Sequence, residues 1–136
     1  MRQMAPVALT VAGSDSSGGA GIQADLRAFS VVGVHGASVV TAVTAQNSRG
    51  VRSVNPLPAH EVGAQIDTVA QDMRPRFAKT GMLYDARTVR LVAGKMAEHG
   101  IEYVVDPVLE ATSRHMLADV GMAEDLVLEL LPHAHQ

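Results

Sequence analysis

Short apolar, β-branched runs alternate with segments of helical period over almost the whole chain, and that alternation restricts it to one fold class. Val7 to Ala12 (VALTVA) reads as a buried strand. Ile22, Leu26, Phe29 and Val32 or Val31 then recur at helical spacing, and Gly33 can end that helix. Ala37 to Ala45 is a second strand. Asn47 to Pro56 is a loop with a brief extended piece at Val51 to Val54. Pro58 to Met73 is helical, with Val62, Ile66 and Val69 on one face and Pro58 in the first turn. Phe77 to Leu83 is a third strand, and Asp85 to His99 is a helix from a good N-cap to Gly100. Tyr103 to Val108 is a fourth strand and Met122 to Leu131 a last helix. Strands separated by helices run parallel with right-handed crossovers, so the expected class is α/β. With 136 residues and no linker, residues 1–136 form one domain.

Composition narrows the function. There are no cysteines, which excludes a disulfide framework, a Cys-ligated zinc site and a thiol nucleophile. The formal charge is −3, with two Phe, two Tyr and no Trp, so a basic-aromatic surface for nucleic acid is not expected. The apolar run near the start is too short for a signal core or a membrane span, so a cytoplasmic enzyme or binding domain is expected.

In open parallel sheets ligands bind at the carboxyl ends of the strands. Those ends carry Gly13-Ser14-Asp15, Gln46-Asn47, Gly81-Met82 and Asp106-Pro107, a set suited to a small polar ligand. The glycine-rich stretch after the first strand invites two phosphate-binding readings, and both fail. Gly19-Ala20-Gly21-Ile22-Gln23-Ala24 fits the dinucleotide pattern, but five residues separate Gly13 from Gly19. The second strand also ends in Thr44-Ala45-Gln46-Asn47 rather than in an acidic residue for the ribose. Gly13 to Gly18 fits the opening of a P-loop, but Gly19-Ala20 stands where Lys and Ser or Thr are needed, and Asp15 would repel a triphosphate. What remains is a loop that lets a ligand approach backbone, with Asp15 and Asp25 nearby. Read singly, Asp15 is also a turn residue bonding its own backbone, and Asp25 a charge suited to a helix start.

Taken in order, TVAGSDSSGGAGIQADLRAFSVVGVHG, TAVTAQNSRGV, KTGML and VVDPV resemble the hydroxymethylpyrimidine and phosphomethylpyrimidine kinases of thiamine biosynthesis, within the ribokinase-like superfamily. The resemblance runs from Leu9 to about Leu131. It implies a three-layer α/β/α fold with a mostly parallel sheet, a small pyrimidine substrate, and ATP with Mg2+. It implies that Gln46 reads the aminopyrimidine edge through an amide that both donates and accepts. It further implies that Gly13 and Thr44 present backbone to the ring, that Ala20 lies in the lining loop, and that Met82 is the apolar wall. It also implies that Asp25 points toward the hydroxymethyl group and that Asp106 belongs to the edge facing ATP and magnesium.

Two departures qualify the resemblance. Relatives of this kind continue into a second half, where a Gly-Thr-Gly-Cys (or Asp) loop supplies the anion hole and general base. After residue 99 this chain has only Gly100 and Gly121, neither in such a motif. After DPV, Glu110 and Arg114 put charge into a segment that is ordinarily small and apolar. The chain is therefore expected to be a truncated or degenerate form, the pyrimidine-binding half, unable to transfer phosphate alone. An exposed sheet edge would then favour a homo-oligomer or a partner carrying the missing half. The alternative is a non-catalytic pyrimidine-binding or regulatory module. His133 and His135 lack a third ligand, and no metal site is expected.

Overall fold

The computed structural model describes residues 4–107 and 126–135. Its elements are β1 (Val7–Ser14), α1 (Gly21–Val31), β2 (His35–Asn47), β3 (Gly50–Pro56), α2 (Ala59–Met73), β4 (Phe77–Thr80), α3 (Ala86–His99) and β5 (Glu102–Val105). A π turn (Leu126–Leu130) and a 3-10 turn (Leu131–His133) follow. The strands form one sheet in the order β3-β2-β1-β4-β5. The pairs β1–β2, β1–β4 and β4–β5 are parallel, and β2–β3 is antiparallel.

The alternating side chains of β1 divide the layers. Leu9 and Val11 are buried in a cluster with Val39 of β2, Val62 and Ile66 of α2, and Val89, Val92 and Met96 of α3. Thr10, between them, points the other way and donates its hydroxyl to Asp25 of α1 at 2.7 Å. Two helices therefore cover one face and α1 the other, the expected α/β/α arrangement with a mostly parallel sheet. Gly36 lets α1 approach, because a Cβ there would run into Leu26 and Phe29. On the other face Asp67 of α2 clasps Lys95 (2.8 Å) and His99 (2.7 Å) of α3. Asp85 caps α3 by accepting from the Thr88 N–H at 2.8 Å. Gly100, left-handed at φ 64°, closes it.

Several elements differ from the sequence reading. The expected loop at Asn47 to Pro56 is largely β3, so the sheet is not wholly parallel. A two-residue connection can reverse a chain but cannot build a parallel crossover. Asn47 Oδ1 accepts the Arg49 N–H at 2.9 Å to shape the turn, and Val51 and Val54 gain cover from Ala42 and Met82. The third strand stops at Thr80, not Leu83: the chain crosses Ala12 at Gly81, the Thr41 hydroxyl takes the Met82 carbonyl, and Tyr84 turns at φ 76°. The fourth strand ends at Val105, ahead of Pro107, which has no N–H for a ladder. Of the expected last helix, residues 122–125 lie outside the described residues, and Leu126–Leu130 is a π turn.

The sheet edges are handled individually. Before Ala42, no strand among the described residues pairs with the outer side of β2, and the Gln65 amide takes both the N–H and the C=O of Val40, at 2.9 and 3.0 Å. The outer edge of β5 is partly occupied. His135 N–H donates to the Tyr103 carbonyl at 2.7 Å, and the Tyr103 hydroxyl donates to the carbonyl of buried Leu130 at 2.8 Å. Among the described residues no helix is long and apolar enough to cross a membrane.

Candidate functional site

Because β1, β2, β4 and β5 are parallel, their carboxyl ends share one edge, in the spatial order β2-β1-β4-β5. Gln46 and Asn47 end β2, Gly13 and Ser14 end β1, Met82 follows β4, and Asp106 follows β5. Two clusters of side chains form there.

The first is built by the loop between β1 and α1. Asp15 is buried and organises it: Oδ1 accepts from the Ser17 N–H (2.9 Å) and hydroxyl (2.7 Å), and Oδ2 from the Ala20 N–H (2.8 Å). Burial pushes the Asp15 carboxyl up, but these bonds, with one from Gly19 N–H, outweigh it and hold the group below the usual carboxylate value. Asp15 is thus engaged with its own loop, the plainer of its two readings. Gln23 of α1 closes the turn, its Oε1 accepting the Asp15 N–H at 2.9 Å and its Nε2 donating to Ser14 Oγ at 2.8 Å. Gly21 is left-handed (φ 59°), and a Cβ there would collide with the Gly13 carbonyl, so only glycine lets α1 start this close to β1. Ala20 is the exposed N-cap residue of α1.

Against this loop lies the end of β2. The buried Thr44 hydroxyl is shared between the Ser14 carbonyl (2.8 Å) and Gln46 Oε1 (3.3 Å). The Ser16 hydroxyl donates to the Gln46 carbonyl and accepts its N–H, both at 2.7 Å. On the β4 side the Met82 methyl rests against Gly13, where any Cβ would overlap it. Met82 also packs on Ala42, Val51 and Val54. Gly13, Thr44, Gln46 and Met82 are therefore gathered around the ends of adjacent strands.

The second cluster centres on Lys79 of β4. Its ammonium lies 3.0 Å from both oxygens of Asp25 and 3.6 Å from Asp106. Asp25 is not in the first turn of α1, where a charge would serve the helix dipole. It faces the sheet with a side chain 16 % exposed, against 58 % for Asp106. Thr10 and Lys79 are register partners, so both side chains point to the α1 face at the same level, under Asp25. Sequence reasoning assigned no role to Lys79, Thr10 or Ser16. The available signal for Lys79 was a charged residue inside a strand flanked by Ala78 and Thr80, both buried.

A third group, Asp67, Glu98 and His99, has ligand atoms within 4.8 Å of one another on α2 and α3. The Lys95 ammonium already holds both carboxylates, at 2.8 and 3.2 Å, so the group is a clasp between helices.

The sequence profile described as phosphomethylpyrimidine kinase matches residues 15–135. The chain is 48 % identical over 131 residues to the hydroxymethylpyrimidine/phosphomethylpyrimidine kinase of Rhizobium meliloti, covering 96 % of this chain and 49 % of that one. To the enzyme of the same name from Bacillus subtilis it is 54 % identical over 105 residues, covering 76 % and 39 %. The crystal structure of phosphomethylpyrimidine kinase from Clostridium difficile superposes with a TM-score of 0.87 at 42 % identity, over 95 % of this chain and 56 % of that one. A pyridoxal kinase from Staphylococcus aureus, in complex with AMP-PCP and pyridoxal, gives 0.83 at 31 % identity, over 97 % and 47 %. The chain spans about half the length of the curated relatives it matches.

Proposed function

Since the chain belongs to the phosphomethylpyrimidine kinase family, we propose that its strand-end edge binds a hydroxymethyl-substituted aminopyrimidine for phosphorylation in thiamine biosynthesis. The chain would correspond to the substrate-binding, N-terminal half of such a kinase, working in the cytoplasm. The observation that carries this reading is the gathering of Gln46, Thr44, Gly13 and Met82 at adjacent strand ends, beside a carboxylate, Asp25, held on α1. Among the described residues Gln46 Nε2 has no hydrogen-bond partner, while its Oε1 takes a Thr44 hydroxyl bond and keeps a lone pair. A donor and an acceptor side by side suit an aminopyrimidine edge. Met82 supplies an apolar face for the ring, Gly13 admits it to the backbone, and Ala20 lies in the loop beside it. Asp25 would accept a hydrogen bond from the hydroxymethyl group.

ATP and Mg2+ are the co-reactants this reading requires. Asp106, exposed at the end of β5, offers the kind of oxygen a hard divalent cation takes. One carboxylate and the Lys79 ammonium do not make a triphosphate cradle. The chemistry supported by the described residues is therefore binding and orienting the pyrimidine.

Calorimetric titration with hydroxymethylpyrimidine tests the reading. Saturable binding is expected, weakened at least roughly tenfold in Gln46→Ala, because a site built to pair polar edges penalises a missing partner heavily. Absence of binding at millimolar ligand, or equal binding by Gln46→Ala, would refute it. Parallel titrations with ATP, and an assay for ATP-dependent phosphorylation, separate a catalytic chain from a pyrimidine-binding module.

A further inference from the structure

We propose that Ser16 is a positioning residue that sets the orientation of Gln46, and through it the selectivity for the amino-substituted ring. The inference rests on Gln46 being the reader of that ring. In the β1–β2 ladder the last register pair is Ser14 with Val43, so β2 runs on for four residues, Thr44 to Asn47, without a strand on that side. There the Ser16 hydroxyl stands in for a strand, donating to the Gln46 carbonyl and accepting its N–H, each at 2.7 Å. One hydroxyl can do both because it has one hydrogen and two lone pairs.

On the opposite side the ladder shifts register between Ala45 and Gln46. Ala45 pairs with Ser53 and Gln46 with Val51, which leaves Arg52 as an extra residue in β3. A bulge bends the strand that carries it, here β3, and disrupts the ladder locally. Gln46 therefore follows a register shift on its β3 side and has no β1 partner on the other. Besides its pairing with Val51, what holds it is the Ser16 pair on its backbone and the Thr44 hydroxyl on its Oε1. Ser16 can impose a direction because its own loop is rigidly tied by the three bonds to the Asp15 carboxylate and the two through Gln23. The side-chain amide is left with its NH2 group turned away from Thr44.

Ser16 is exposed, so Ser16→Ala is expected to fold. In the ligand-free protein, the NMR order parameter of the Gln46 backbone amide should fall in Ser16→Ala from near the rigid value of about 0.85 toward 0.6. Ser16→Thr, which keeps the hydroxyl, should restore it. In titrations with hydroxymethylpyrimidine and with its analogue carrying a keto oxygen in place of the ring amino group, the ratio of affinities should drop roughly tenfold in Ser16→Ala and recover in Ser16→Thr. An unchanged order parameter, or an unchanged ratio accompanied only by a lower melting temperature, overturns the positioning role and leaves Ser16 a loop staple. The control is Gln46→Ala: if its ratio equals that of the wild type, the ring is read elsewhere, and the functional reading falls with the inference.

Discussion

Replacing Lys79 with methionine keeps the length and the apolar stem of the side chain and removes the charge that joins α1 to β4 and the end of β5. At 3.0 Å the attraction between Lys79 and Asp25 is about 5–6 kcal/mol for an effective dielectric near 20. Most of that is offset by desolvation and by ordering the lysine. The side chains are 26 % and 16 % exposed, which places the pair between surface ion pairs and fully buried ones. Exposed pairs contribute roughly 0.2–1 kcal/mol, and breaking a buried one costs about 3–5 kcal/mol, so Lys79→Met should cost about 2 kcal/mol. In a domain of this size that lowers the melting temperature by roughly 6–10 °C. Thr10 continues to donate to Asp25, which keeps the carboxylate from being wholly orphaned. The sharper test is a double-mutant cycle with Asp25→Asn, read by urea denaturation at neutral pH. The double variant should be less destabilised than the sum of the singles, with a coupling of about 1–2 kcal/mol. A coupling below about 0.3 kcal/mol would mean the two residues act independently, and the link between α1 and β4 would be wrong.

Three further outcomes follow from the same geometry. Gly21→Ala places a Cβ on the Gly13 carbonyl at a left-handed φ, so it should lose more than about 1 kcal/mol by denaturant titration; a neutral substitution would show that the loop relaxes freely. Asp15→Asn removes a carboxylate whose folded value is depressed, and such a group stabilises the fold above its unfolded value of about 3.9 and loses that contribution as pH falls through the lower folded value. The variant should therefore be less stable at pH 7, with the gap narrowing only in melts below about pH 4; a gap constant down to pH 2 would refute the argument. Thr80→Val exchanges a fully buried hydroxyl that has no partner among the described residues for a methyl, so melting should be unchanged or higher, and a clear loss would reveal a bond not accounted for.

The architecture was legible where one rule sufficed. Strand-type and helix-type periods alternate in β1, α1, β2, α2, β4, α3 and β5, and the crossover rule then makes those strands parallel. It failed at β3 because Asn47-Ser48-Arg49-Gly50 is a tight connection without an Asn-Gly or Asp-Gly pair. The strand beyond it, GVRSVNP, has only Val51 and Val54 to pattern it, spaced by three because Arg52 is bulged out. Spacing by three conceals the two-residue period that identifies a strand. The overlong third strand has a similar origin. Gly81-Met82-Leu83 is apolar and buried, which the pattern reads as strand, yet it is buried by crossing Ala12 and bonding to Thr41.

The candidate site divides along the same line. Its location follows from topology alone, since parallel strands bring their carboxyl ends to one edge whatever residues they carry. Its internal wiring depends on register, which no single segment encodes. Lys79 meets Asp25 because β1 and β4 are neighbours and Thr10 stands level with Lys79. Half of that could have been reasoned from the chain: FAKTG puts a lysine between small residues in a strand too central to leave an ammonium unpaired, so a carboxylate on the covering helix was required. Asp25, one turn into the helix that follows β1, was the carboxylate within reach once those strands were placed side by side. Ser16 gave no such signal, because an exposed serine in a glycine-rich loop is ordinary. Its partner is backbone rather than a side chain, and the need for it arises only where the β1–β2 ladder has ended and the β2–β3 ladder shifts register just before Gln46.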